Sequence, residues 1–300
     1  MPQTYRPLQA AFWMVGSILG FTMVAVAGRA LHPFLDTYEV MLWRSVVGIF
    51  AVAGVATITG HITEVSTDRL LIHALRNAIH FAGQNLWLVA LSLIPLAQLF
   101  ALEFSYPIIV ALAAPFVLGE RLTRTRAVSA LIGFAGILIV ARPFGAEGLS
   151  PGLLAALGAA VSFAGAALMT RWMTRSMTIT CILFWLVTFQ ALYGLLGAGL
   201  DGRVAVPPVA ALPWVVAIGL GGLIGHLGLT KALSLAPAAV VTPMDFLRLP
   251  LIAVVGMALY SENPDIWVLI GGAVTFGANW LNIWSESRKT SVLQAQMQQP

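Results

Sequence analysis

A row of polar side chains inside one long apolar segment, residues 70–91, is the strongest candidate for a ligand-binding surface in the sequence. Asn77, His80, Gln84 and Trp87 are separated by three, four and three positions, so they share one side of an α-helix. Amide, imidazole and indole groups can bind the polar and aromatic parts of an amphipathic solute. A single histidine in such a segment has packing as its alternative role, but the row as a whole predicts a pocket surface.

Other apolar segments contain residues that could complete such a pocket. A second imidazole, a carboxyl, a phenol and several aromatic rings are available there. These candidates are His226, Glu103, Tyr106, Trp13, Phe21 and Phe163. For the aromatic residues a lipid-facing position is the alternative, because rings serve equally well on the outside of a membrane protein.

Five charged side chains fall inside apolar segments: Arg44, Arg76, Glu103, Asp245 and Arg248. Charges in lipid are costly, so they are expected to face the interior and to be paired. At about 1.5 Å per residue, Arg44 and Glu103 lie roughly 10 Å below the outer membrane surface, and the other three lie at a similar depth below the inner surface. The depths predict the pairs Arg44–Glu103 and Asp245–Arg248, with Arg76 as an alternative partner of Asp245. Such pairs could lock the bundle or exchange partners as gates, and Glu103 could instead carry a proton.

Several enzyme and cofactor signatures are missing from the sequence. Neither G-x-x-x-x-G-K-[ST] nor H-E-x-x-H occurs, and the single cysteine, Cys181, excludes an intramolecular disulfide. The string 148–152 fits G-x-S-x-G, but Ser150 before a proline is typical of a helix cap. We therefore expect no cofactor, no metal and no enzymatic activity. An intramembrane enzyme is the alternative, with His80 and Glu103 as its nearest acid–base set.

The composition indicates a membrane protein. Of 300 residues, 59% are hydrophobic and 9% are charged, against about 25% charged in soluble proteins. The net charge of +4 comes from basic residues between apolar segments, which favours a topological role over nucleic-acid binding. The first apolar run resembles a cleavable signal peptide, but its length of about 20 residues suits a retained span.

Ten apolar segments are long enough to cross a bilayer. Spans 1 to 5 cover about 8–28, 38–58, 70–91, 95–118 and 125–141, and spans 6 to 10 cover about 151–171, 178–198, 212–231, 238–260 and 265–284. The connections are short, so the expected fold class is an all-α integral membrane protein of ten transmembrane helices. A polar tail, 285–300, follows the last span and is predicted to be cytoplasmic.

The two halves of the chain repeat each other. Adding 142 to a position in the first half gives its counterpart: the sequence ALSLIP at 90–95 matches ALSLAP at 232–237, and Arg29 matches Arg171. The repeats are predicted at 1–143 and 144–284. Because each holds five spans, they must insert with opposite orientation, which is the inverted-topology design of many transporters.

The basic residues also predict the orientation. With the N-terminus in the cytoplasm, most loop arginines and lysines lie on the cytoplasmic side. Both termini are then cytoplasmic. The predicted location is a bacterial-type inner (plasma) membrane, crossed many times.

Prolines inside spans 4 and 9 predict irregular helices at repeat-related positions. They are Pro107, Pro115, Pro243 and Pro250. An interior proline removes one backbone hydrogen bond and bends the helix. The bends are predicted to serve as hinges or as a cavity wall, and a static kink is the alternative.

Small residues at four-residue spacing allow helices to approach closely. Gly16-x-x-x-Gly20 in span 1 and Gly221-x-x-x-Gly225 in span 8 are examples. Packing within the bundle is the predicted use, and dimerisation is the alternative.

The ALSLIPLAQ sequence at 90–98, the LGERLT sequence at 118–123 and the five-plus-five layout resemble the drug/metabolite transporter superfamily, and within it the ten-helix EamA-type transporters. The second repeat keeps only Glu262 of the LGERLT pattern. More narrowly, the chain is similar to amino-acid exporters of the YddG kind.

This resemblance implies a secondary transporter that exports small organic metabolites, with amino acids, including aromatic ones, as substrates, by alternating access. It implies a small-molecule substrate and the lipid bilayer as partners, no nucleic acid, and either a monomer or a homodimer. A passive pore is the remaining alternative, which would need a continuous polar stripe.

Overall fold

The computed structural model describes residues 6–119, 124–142, 149–200, 202–263, 265–278 and 280–281. Within these ranges the chain forms α-helices and short 3-10 turns, and no strand. The helices of the first half are α1 (Pro7–Leu31), α2 (Thr37–Ile58), α3 (Leu70–Leu93), α4 (Leu96–Glu103), α5 (Tyr106–Leu118) and α6 (Arg124–Ala141). Those of the second half are α7 (Pro151–Met173), α8 (Ile179–Ala198), α9 (Leu212–Leu235), α10 (Ala238–Val241), α11 (Arg248–Tyr260) and α12 (Ile266–Ala278). Residues 120–123 of LGERLT and the tail 285–300 lie outside the described ranges.

The described helices account for the ten predicted spans. Six helical stretches are long and apolar enough to cross a membrane, and α6, α11 and α12 are shorter apolar helices. Helix α3 has 24 residues, which is enough to span, and it carries the polar row. The predicted fold class, an all-α membrane protein built from two inverted five-helix repeats, is confirmed.

Local sequence explains where several helices begin. Asp36 and Glu39 form a capping box at the start of α2, so each satisfies a free backbone N–H group. The Ser150 hydroxyl accepts a hydrogen bond from the Leu153 N–H group, and Pro151 follows it as the first residue of α7. The predicted helix cap at Ser150 is therefore confirmed.

Spans 4 and 9 are interrupted rather than merely bent. Span 4 divides into α4 and α5 at residues 104–105, and Pro107 lies in the first turn of α5. A proline there cannot donate to the carbonyl group four residues earlier, on Glu103, and its ring crowds that group. Span 9 passes from α10 through a 3-10 turn, Thr242–Leu247, which contains Pro243, into α11, which contains Pro250. Pro115 lies within α5.

The helices pair across the repeats in a symmetric way. The most extensive contacts join α1 to α9, α3 to α7 and α2 to α8. Under the repeat relation α1 corresponds to α7 and α3 to α9, so the first two contacts are one pairing seen twice. Helices α2 and α8 correspond to each other. Their contact is therefore a pairing of equivalent helices, as expected when a two-fold axis relates the repeats. The core of the molecule is thus the junction between the two repeats.

Glycines allow α1 and α9 to touch backbone to backbone. A Cβ atom added at Gly20 would lie 2.5 Å from the Gly221 carbonyl oxygen and 2.6 Å from the Gly225 nitrogen. Only the absence of a side chain permits this approach. At Gly16, one turn earlier, an added Cβ atom would meet nothing within 4 Å. Packing within the bundle is therefore confirmed for Gly20, Gly221 and Gly225.

Two repeat-related arginines tie helix ends together. Arg29, at the end of α1, donates to Glu262 and to the Leu91 carbonyl oxygen (3.1 Å). Arg171, its counterpart in α7, donates to the Leu233 carbonyl oxygen (2.5 Å). Because Leu233 is the counterpart of Leu91, each repeat uses the same arginine to hold the end of its partner helix.

Candidate functional site

A cavity lies at the junction of the repeats. Its volume is about 90 Å³, which is enough to hold several water molecules. Twelve of the residues that the sequence analysis selected line it: Phe21, Arg44, Arg76, His80, Gln84, Trp87, Glu103, Tyr106, Phe163, His226, Asp245 and Arg248. The cavity therefore draws side chains from both repeats to one place.

Arg248 is the centre of a buried ionic cluster. Its guanidinium donates to Glu103 Oε1 at 2.6 Å and to Asp245 Oδ2 at 2.7 Å. The Trp87 indole N–H donates to the other Glu103 oxygen, Oε2, at 2.6 Å, and the Tyr106 hydroxyl lies 3.4 Å from Asp245 Oδ2. The predicted Asp245–Arg248 pair is confirmed, and the cluster joins span 4 to span 9.

The predicted pairing of Arg44 with Glu103 is wrong, because Glu103 binds Arg248 instead. The predicted pair was chosen from the depth of each Cα atom below the nearer membrane face. Glu103 and Arg248 enter from opposite faces, and a hydrocarbon core of about 30 Å leaves only a short gap between them. A long arginine side chain carries its charge well away from its Cα atom, so the two groups meet near the middle. The alternative pairing of Asp245 with Arg76 is also wrong, since Arg76 bonds elsewhere.

Arg44 is bound by an amide rather than by a carboxylate. In the orientation of the Gln84 amide that satisfies its neighbours, its oxygen accepts from Arg44 Nη1 at 2.8 Å and its nitrogen donates to Gln190 Oε1 at 2.8 Å. The Arg44 Nη1 atom also lies 3.8 Å from the Met41 sulfur. Arg44 is 8% exposed and has no acidic partner among the described residues.

Two histidines meet inside the cavity. The Nε2 atoms of His80 and His226 are 3.1 Å apart, so one ring donates and the other accepts. Phe21 packs edge-on against His226 with ring centroids 5.1 Å apart, and Phe163 lies 5.6 Å from His80. Both Nδ1 atoms are buried and have no hydrogen-bond partner among the described residues. The histidine pair thus leaves two unsatisfied polar atoms beside the cavity.

Two of the predicted pocket residues do not line the cavity. The Asn77 side chain accepts from Arg76 Nη1 at 2.8 Å and donates to the Trp185 carbonyl oxygen at 3.1 Å, so it ties α3 to α8. Trp13 is half-buried and packs with Phe12 on α1. Both residues lie on helices that border the cavity, but their side chains point toward other groups. A residue's place on a helix therefore did not show whether its side chain enters the cavity.

Sequence reasoning selected Phe21, whose ring centre lies 5.3 Å from the Arg248 guanidinium, but it missed two other rings around Arg248. The guanidinium lies 4.8 Å from the centre of the Phe100 ring and 5.7 Å from that of Phe104. Cation–π contacts of this kind help to compensate for the burial of a charge. The available signal was the four-residue spacing of Phe100 and Phe104, which lie three residues before and one residue after Glu103.

The geometry does not assemble a hydrolytic or metal centre from the described residues. No group of three or more His, Cys, Asp or Glu side chains there could hold a metal ion. Glu103 already accepts from Arg248 and Trp87, while His80 contacts His226. The proposed acid–base set is thus committed to other partners in this conformation.

Ten membrane spans in two inverted repeats, with a polar and aromatic cavity between them, define a multi-pass membrane protein built like a transporter. A model of the EamA-like transporter family matches the chain twice, over residues 8–142 and 150–284. The chain belongs to the EamA-like transporter family, and the resemblance seen in the sequence is confirmed at that level.

Curated relatives from bacteria cover nearly the whole chain. An S-adenosylmethionine uptake transporter of Rickettsia bellii is 25% identical over 93% of this chain and 94% of its own length. A riboflavin transporter of Brucella anthropi is 28% identical over 89% and 95%, and a pseudopaline exporter of Pseudomonas aeruginosa 27% over 85% and 88%. A solved crystal structure superposes with a TM-score of 0.66 over 97% of this chain and 99% of that one, at 19% identity, which establishes the fold alone.

Proposed function

We propose that this protein is a secondary transporter that moves a small organic metabolite through the central cavity by alternating access. The observation that carries the proposal is that both repeats contribute charged, polar and aromatic groups to one buried cavity. In inverted-repeat transporters the substrate site lies at this junction, beside interrupted helices. Spans 4 and 9 are interrupted here, and they hold the Glu103–Arg248–Asp245 cluster.

The finer proposal is export of amino acids, including aromatic ones, from the cytoplasm across an inner membrane. Aromatic walls at Phe21, Phe163 and Trp87 suit a ring-bearing solute, and charged groups of both signs line the same space. The named substrates of the relatives, S-adenosylmethionine, riboflavin and pseudopaline, are chemically diverse. The choice of substrate therefore depends on this cavity rather than on the family.

The same proposal assigns the moving parts. The breaks near Pro107 and Pro243 are proposed hinges, with Pro115 and Pro250 in the helices that move. Repeats at 1–143 and 144–284 would rock against each other, with both termini and the tail 285–300 in the cytoplasm. In this proposal the ion pairs of the Arg248 cluster hold spans 4 and 9 together in one of the two alternating conformations.

Cysteine accessibility tests the cavity directly. In a Cys181→Ser background, cysteines at positions 80, 84 and 87 are expected to react with a small water-soluble thiol reagent, because these positions line the cavity. A cysteine at position 82 is the matched control, since Ala82 lies on the same helix and faces outward from the bundle. Labelling is measured by gel shift in native membranes.

The reaction at the three cavity positions is expected to slow when a transported solute is added, while the reaction at position 82 is unchanged. Equal labelling at all four positions, or labelling at position 82 alone, would show that this cavity is not an aqueous substrate site.

A further inference from the structure

The cavity contains more positive than negative charge. Three arginines, Arg44, Arg76 and Arg248, face two carboxylates, Glu103 and Asp245. Both carboxylates bind the same arginine, Arg248. The other two guanidinium groups therefore have no carboxylate beside them among the described residues.

The excess does not depend on protonation states. An arginine side chain stays charged in proteins, whereas protonation of Glu103 or Asp245 would remove a negative charge. Protonation of His80 or His226 would add a positive one. Every combination leaves the cavity with a surplus of positive charge.

Arg76 presents free hydrogen-bonding capacity. It is 3% exposed, its Nε atom donates to the Thr170 hydroxyl at 3.0 Å, and its Nη1 atom donates to Asn77 Oδ1 at 2.8 Å. The second terminal nitrogen, Nη2, has no hydrogen-bond partner among the described residues. Thr170 and Asn77 thus fix the orientation of the Arg76 guanidinium and leave its Nη2 atom available to donate to a ligand.

Arg44, like Arg76, is held by neutral groups. Neutral amide and thioether groups contact it, through Gln84 and Met41. A buried charge that only neutral groups solvate is costly, so it gains from an anionic ligand. Guanidinium groups match carboxylates by paired N–H···O hydrogen bonds.

We propose that Arg44 and Arg76 bind an anionic group of the substrate, a carboxylate, and that the site therefore selects carboxylate-bearing metabolites over their amine counterparts. This inference rests on the proposed function and names the substrate class of the same cavity. Two carboxylates already neutralise Arg248, so the recognition of the anion falls to the other two arginines.

Matched ligands test the selection on the wild-type protein. Purified protein in detergent is titrated with L-phenylalanine, 3-phenylpropionate and phenethylamine, and with tryptophan, indole-3-propionate and tryptamine, with binding measured by calorimetry. Each set keeps one ring and changes only the charged groups. The carboxylates without an amine are expected to bind, and the amines without a carboxylate to bind about 10- to 100-fold more weakly, as expected for lost charge-assisted hydrogen bonds.

Variants assign the effect to the two arginines. Arg76→Gln and Arg44→Gln are each expected to weaken binding of the propionates by about 10-fold or more and to leave binding of the amines unchanged. Arg69→Gln is the control, because Arg69 is exposed and lies outside the cavity. Lysine replacements retain the charge without the fork and should give intermediate affinity; melting temperatures verify that each variant is folded.

Amines that bind as tightly as the propionates, or no binding by any member of either set, would overturn the inference. Loss of propionate and amine binding to the same extent in the arginine variants would also overturn it, because that pattern indicates a general structural role. The cysteine experiment above is independent of ligand charge, so a failed anion preference with protected cavity cysteines leaves the proposed function standing.

Discussion

Replacing Arg248 with methionine is expected to destabilise the protein by about 3–5 kcal/mol, the usual cost of breaking a buried ion pair from one side. The change removes the only cation that contacts Glu103 and Asp245 among the described residues. Two carboxylates would then remain together in the protein interior. The effect is measured as the melting temperature in detergent, taken from the fraction of protein that stays monodisperse after heating.

A neutral version of the cluster provides the control. Combining Arg248→Met with Glu103→Gln and Asp245→Asn removes all three charges, and replacing a buried ionic group as a whole is often close to neutral. We expect this triple variant to regain most of the lost stability. An Arg248→Met protein that melts like the wild type would show that the cluster contributes nothing to the fold.

The second large effect is expected at the contact between α1 and α9. Gly20→Ala would place a Cβ atom 2.5 Å from the Gly221 carbonyl oxygen, and backbone on the opposite helix cannot turn aside as a side chain can. Overpacking typically costs about 1–3 kcal/mol, and we expect this variant at the upper end or beyond.

Gly16→Ala is the matched control on the same helix. Open space surrounds an added Cβ atom there, and alanine is the better helix former by up to about 1 kcal/mol. Its melting temperature is expected to equal or exceed that of the wild type. Similar losses for both variants would mean that α1 and α9 do not approach closely at Gly20.

Periodicity and internal repetition predicted much of this molecule because both are properties of the chain itself. The offset of 142 residues fixes the counterpart of every helix, and the symmetric contacts of α1 with α9 and α3 with α7 follow from it. The row on α3 placed His80, Gln84 and Trp87 on the cavity wall because helical spacing sets the direction of side chains along one face.

Partners across helices could not be predicted in the same way. The depth of Arg44 resembles that of Glu103, but depth does not say which way a side chain points around its helix. Arg44 points toward Gln84, while Glu103 points toward Arg248. The interruption of span 4 at residues 104–105 also changes the direction of the chain next to Glu103. These relations depend on the packing of several helices at once.

Counterflow in proteoliposomes tests the central claim most directly. Vesicles containing purified protein are loaded with one unlabelled solute at high concentration, across a panel of amino acids and other carboxylate-bearing metabolites, and the uptake of the same labelled solute is followed. A transporter that alternates access is expected to give a transient accumulation of label above equilibrium for at least one solute. Vesicles with Arg69→Gln should do the same, because Arg69 lies outside the cavity. Label that only equilibrates, without an overshoot, indicates a passive pore, and no protein-dependent uptake of any solute in the panel would contradict the account.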